Sequence, residues 1–136
     1  MPASTPLVPH RPPLLLIDAV REAGPDHCTC LARVDGRAWY ADADGAMPAW
    51  FGLELMAQTV AAFSGNRNQG QAPRIGYLLG TRQYSSAAES FPAGALLEVT
   101  ARVHYADATG LSAFACELRC GGVPLAHAIL KVFEPA

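Results

Sequence analysis

A chain of 136 residues that is 51% hydrophobic and 16% charged has enough apolar material for about one domain around one buried core. Its formal net charge of −2 excludes the strongly basic face that nucleic-acid binding needs, and Lys131 is its sole lysine.

The opening stretch, MPASTPLVPHRPPLLLID, has no positively charged n-region, and its longest apolar run is four residues. That is too short for a secretion signal or a membrane span, so a cytoplasmic location is expected. Pro2, Pro6, Pro9, Pro12 and Pro13 make this lead-in extended or turn-rich rather than helical. A short apolar piece, Leu14 to Val20, follows. Residues 27–35, HCTCLARVD, alternate in polarity as a strand does. ADADGAMP, residues 41–48, reads as a turn or loop punctuated by Gly45 and Pro48. A helix is expected from about Pro48 to Ser64, with Pro48 suited to its first turn and Gly65-Asn66 as its stop. The remainder reads as strands joined by tight turns: IGYLLGTRQYSS, then FPAG as a turn, ALLEVTARVHYAD, TGLSAFACELRCGG and VPLAHAILKVFEP.

A helix apolar on every side is normally enclosed. The expected class is therefore α+β in the hotdog arrangement, a single domain over residues 1–136. One long central helix would be wrapped by a curved antiparallel sheet of about five strands. Cys28, Cys30, Cys116 and Cys120 have C-x-C and C-x3-C spacings, and adding His27 does not supply the C-x2-C knuckles of a zinc site. Strand positions i, i+2 and i+4 share a face, so both pairs fit buried free thiols, and no metal is expected.

The helix carries one ionisable group, Glu54, among Trp50, Phe51, Leu53, Leu55, Met56, Val60 and Phe63. Gln58 lies one turn on, on the same face. A buried carboxylate has its pKa raised towards the range a general acid or base needs. The alternatives are a Glu54 that points out of a partly exposed helix, or one paired with Arg11 or Arg74.

Three motifs shift the weighting. MPAWFGLELMAQ (Met47 to Gln58) resembles the P-G-V-L-x-x-E-A-x-A-Q helix motif of beta-hydroxyacyl-ACP dehydratases of the FabZ type. Pro48, Glu54, Ala57 and Gln58 are in register with it, and Ala49 stands where the motif has Gly. LVPHRPPLLLIDAV is similar to that family's opening, and IGYLLGTRQYSS…FPAGALLEV to its strand, turn and strand. DADG ahead of the helix, with LELMAQTV within it, looks closer still to the ApeP-like group of dehydratases from aryl polyene clusters.

The resemblance implies dehydration of a 3-hydroxyacyl thioester, carried on acyl carrier protein or coenzyme A, with Glu54 as acid/base and no cofactor. It implies that amides at the start of the Pro48 helix polarise the thioester carbonyl. It also implies a site at a subunit interface, in a homodimer or in a pairing with a second hotdog subunit. Gln58, Pro48, Ala49, Tyr40 and Trp50 are the expected substrate contacts. Trp39 and Tyr77 join the two aromatics as channel candidates, with aromatic core as the alternative.

The family's G-H-F-P-G histidine, however, has no counterpart in WYADADGAMP. His10 in the P-H-R motif is the first candidate to replace it, unless that imidazole merely holds the lead-in. Asp44 and Asp42 are second, as carboxylate partners of Glu54 or as plain turn residues. Counted as a calcium loop, Asp42 onward puts Met47 and Leu53 where Gly and Glu belong, so that reading fails. His104 and His127 fall in strands and are expected to be structural. A thioesterase and a non-catalytic acyl-binding partner subunit are the competing functions.

Overall fold

The structure, a computed structural model, describes residues 14–67 and 77–134. In chain order the elements are β1 (Ala19–Ala23), β2 (His27–Arg33), β3 (Met47–Pro48), α1 (Phe51–Arg67), β4 (Tyr77–Ser86), β5 (Ser90–Phe91), β6 (Leu96–Ala106), β7 (Leu111–Cys120) and β8 (Val123–Phe133). Six strands form one sheet in the order β1-β2-β6-β7-β8-β4, antiparallel at every junction, and β3 and β5 make a separate two-stranded ribbon.

The sheet's inner face is written in strand alternation. Cys30, Val99, Leu118 and Ala126 form one cross-strand row, and Cys28, Ala101, Cys116 and Ala128 form another. All of these are buried. Against them α1 lays Leu55, Met56, Thr59, Val60, Ala62 and Phe63. Small residues in these rows let the helix approach closely, and Phe63 meets Phe114 edge-on at 5.6 Å. The helix contacts β1, β2, β6, β7 and β8. Strands spaced by about 4.8 Å together outspan a helix about 10 Å wide, so the sheet curls around it. This is the hotdog architecture expected from the sequence.

The outer face alternates to polar groups. Thr29, Thr100, Glu117 and His127 form a row there, with the Thr29 and Thr100 hydroxyls 2.8 Å apart. The two C-x-C thiols lie on the inner face, with Cys28 and Cys30 Sγ atoms 3.8 Å apart.

Two boundaries differ from expectation. Leu14 to Val20 reads in sequence only as an apolar piece, yet Ala19 and Val20 begin β1, the edge strand on β2 that raises the sheet to six strands. The helix starts at Phe51 rather than at Pro48, and continues past Ser64 to Arg67. Pro48 is instead paired with Ser90 in the β3–β5 ribbon, and the Ala49 amide donates to the Glu89 carbonyl at 3.0 Å. Those bonds hold residues 47–49 extended, and the α-helical turn opens only beyond them.

Candidate functional site

One stripe of α1 is less deeply buried than the rest. Glu54 is exposed on it, Leu53, Ala57 and Ala61 are half-buried, and Trp50 just ahead of the helix is 69% exposed. Of the readings the sequence leaves open for Glu54, the single chain shows an exposed carboxylate. The helix is apolar on all sides, but it is buried unevenly: Leu53, Ala57 and Ala61 touch the core and stay half-buried, and Glu54 is exposed. Nothing in the hydropathy of α1 distinguishes a face covered by the sheet from a face left open.

Glu54 is nonetheless held. The Gln58 amide Nε2 donates to Glu54 Oε1 at 3.1 Å and to the Leu14 carbonyl at 2.7 Å. The Gln58 Oε1 accepts the Leu16 and Ile17 amides at 2.8 and 3.2 Å. Both donors and both lone pairs of a fully buried carboxamide are thus used. Gln58 ties residues 14–17, which emerge from the proline-rich lead-in, to the helix acid.

Beside this carboxylate lies an aromatic group. Phe51 packs edge-on to Trp39 at 5.4 Å, and lies 5.8 Å from Tyr40 and 6.0 Å from Trp50 between ring centres. Tyr40 is buried and its hydroxyl accepts the Asp35 amide at 2.8 Å, so it is core structure on this chain. Trp39 and Trp50 are more than half exposed. Leu14 is also exposed, and its carbonyl is held to the helix by Gln58.

The ends of the Ala49 residue are clamped from two sides. Its carbonyl accepts the Gly52 amide at 2.9 Å and also the Tyr84 hydroxyl. Neither Tyr84 nor Gly52 is singled out by the sequence. A glycine in the first turn of an otherwise apolar helix is the one available sign.

Asp42 and Asp44 build the turn ahead of β3. Asp42 Oδ1 accepts the Asp44 and Ala46 amides at 2.9 and 3.0 Å, an Asx-type turn, and the Asp44 side chain is exposed. His10, Arg11 and Arg74 lie outside the described residues, as does the Tyr77 side chain. His27 sits at the start of β2, ion-paired to Glu22 and Asp26, while His104 and His127 are exposed on β6 and β8. A cavity of about 540 Å³ lined by Gln83, Thr100, Arg102, Glu117 and His127 is on the sheet's outer face, away from α1 and Glu54.

A helix acid braced by its neighbour thus sits on a hotdog scaffold, an α+β fold. The chain belongs to the ApeP-like family, ApeP dehydratase, which matches residues 2–136. Among solved structures it is similar to the dehydratase heterocomplex ApeI:P from Xenorhabdus doucetiae, with 25% identity and a TM-score of 0.91 over 100% of this chain and 93% of that one. A hypothetical thioesterase with coenzyme A from Streptococcus pneumoniae TIGR4 shares the fold at 10% identity and a TM-score of 0.69, covering 85% of this chain and 86% of that one. The PaaI protein from the phenylacetic acid degradation operon of E. coli does so at 13% identity and a TM-score of 0.67, covering 84% of this chain and 80% of that one. No curated protein sequence matches the chain. Among the described residues no helix is long and apolar enough to cross a membrane.

Proposed function

We propose that this chain is the glutamate-bearing subunit of a dehydratase that converts a 3-hydroxyacyl thioester to the trans-2-enoyl thioester. The observation that carries the reading is the setting of Glu54: an exposed carboxylate, braced by a buried glutamine, among half-buried Leu53, Ala57 and Ala61. In the family it resembles, the glutamate works with a histidine from the other subunit, so a covering partner would both complete the acid–base pair and dehydrate it. The partner is a second hotdog subunit, in keeping with the heterocomplex to which the chain is similar.

The reaction needs one group to take the proton from the α-carbon and another to protonate the departing hydroxyl, so that water leaves. Glu54 is one of these groups and the partner's imidazole the other. Closing the interface excludes bulk solvent and strengthens both interactions. The Trp50 and Phe51 amides, at the positive end of α1, polarise the thioester carbonyl as negative charge builds on it. Pro48 and Ala49 set that end of the helix, Trp50 lines the acyl path, and Gln58 acts by holding Glu54. Tyr40 contributes by packing Phe51. His10, and then Asp44, are the groups to test should the chain act as a homodimer. The acyl group arrives on acyl carrier protein or coenzyme A, in the cytoplasm.

The test is to incubate the chain, alone and mixed with a second hotdog subunit of the same source, with 3-hydroxyacyl and saturated acyl thioesters. Enoyl product from the mixture supports the proposal. Free thiol from the saturated substrate means a thioesterase instead.

A further inference from the structure

Three locally unfavourable features meet at one contact. Gln83 has φ of 54°, a left-handed conformation that costs a non-glycine residue about 1 kcal/mol or more. It sits where β4 slips register against β8, between Arg82 and Ser85. A bulge of this kind turns the next side chain out of the alternating pattern. The next side chain is Tyr84. Its hydroxyl reaches the Ala49 carbonyl at the mouth of α1. There it fills the space a side chain at position 52 would need. A Cβ on Gly52 would overlap Tyr84 Oη and stand 3.4 Å from Cζ. Glycine in the first turn also favours α1 less than alanine would.

Each feature alone is a small defect, and together they serve a single hydrogen bond. The Glu89 carbonyl fixes the Ala49 amide at 3.0 Å, and Tyr84 and the Gly52 amide fix the Ala49 carbonyl. The residue immediately before Trp50 is therefore held at both its ends. Burial holds the phenol above its usual range, so it stays protonated and keeps donating through neutral and mildly alkaline pH.

We propose that Tyr84 is a positioning residue for the dehydratase: its hydroxyl, admitted by the Gln83 bulge and by Gly52, sets the orientation of the Trp50 and Phe51 amides that meet the thioester carbonyl. The proposal rests on the dehydratase reading above. It assigns a role to the residue 84–residue 52 pair that binding of substrate alone does not require, since neither side chain need touch the acyl group.

The test is a double-mutant cycle in the assembled oligomer, with enoyl formation followed by mass spectrometry. Tyr84→Phe removes only the hydroxyl, and Gly52→Ala displaces it. Each single variant should lower kcat about tenfold with KM held within about twofold. The double variant should be no worse than either single, because both break the same bond. Amide exchange at Trp50 and Phe51 should quicken in Tyr84→Phe. An active wild type with Tyr84→Phe at full kcat, or with losses that multiply in the double variant, overturns the role of Tyr84 alone. A wild-type assembly that forms no enoyl product overturns the dehydratase reading and this role with it.

Discussion

Gln58 and Glu54 stand one helical turn apart on α1, and the buried amide of the first donates to the exposed carboxylate of the second at 3.1 Å. The same amide group binds the carbonyl of Leu14, and its oxygen takes the amides of Leu16 and Ile17. Burial of Gln58 therefore fixes Glu54 from below. Rotation of the carboxylate away from its place costs a hydrogen bond in a partly desolvated setting.

Replacing Gln58 by leucine removes its hydrogen bonds to the Leu16 and Ile17 amides, the Leu14 carbonyl and the Glu54 carboxylate. Each unsatisfied buried group costs about 1–3 kcal/mol, and water at the exposed Leu14 end recovers part of that. A net loss of about 3 kcal/mol, or a fall in Tm of roughly 10 °C, is expected in thermal unfolding of the isolated chain. Dehydration by the assembled protein should fall as well. An unchanged Tm would show that these bonds do not hold residues 14–17 to the helix.

Among the described residues, His27 ties stability to pH near neutrality. Its Nδ1 lies 2.9 Å from Asp26 and its Nε2 2.5 Å from Glu22, and these hydrogen bonds raise its pKa above the usual 6.5. Folding therefore favours the imidazolium. The stabilisation is complete below about pH 6.5 and is lost as pH rises through the folded-state value. Hydrogen bonding to His27 lowers Glu22 and Asp26 in turn, so a second loss sets in under acid conditions as those carboxylates are protonated. The Tm difference between wild type and His27→Gln should be largest near pH 6 and shrink towards about pH 9. A gap independent of pH across that range would contradict the pairing.

The open stripe of α1 makes a prediction about assembly. Leu53→Asp places a charge where a partner should pack, while the side chain is only half-buried in the single chain. Assembly should weaken by about tenfold or more in sedimentation, with circular dichroism showing the isolated chain still folded. Trp50→Ser, which removes an exposed aromatic, should act in the same direction. Assembly as tight as wild type in both variants would place the interface elsewhere.

Alternation and helical spacing are short-range signals, and what they govern is legible in the chain. The inner row Cys30, Val99, Leu118 and Ala126 follows period-2 patterning in four strands, and the Glu54–Gln58 pairing follows one-turn spacing in the helix. The start of α1 is not legible. Proline suits a first helical turn as well as a short strand, and only the ribbon contact with Ser90, far along the chain, decides for Pro48. Tyr84 and Gly52 stay hidden for the same reason: the space one leaves and the other fills belongs to two elements distant in sequence. The exposure of Glu54 is hidden too, since a half-buried helix face has the same composition as one fully enclosed.

The most direct measurement is mass-spectrometric detection of enoyl thioester from 3-hydroxyacyl-ACP, comparing wild type with Glu54→Gln in the assembled oligomer. The amide is isosteric and the site is exposed in the single chain, so folding and assembly should be retained while turnover falls about a hundredfold or more. Full turnover by a correctly assembled Glu54→Gln protein would contradict the account, because the helix acid would then handle no proton.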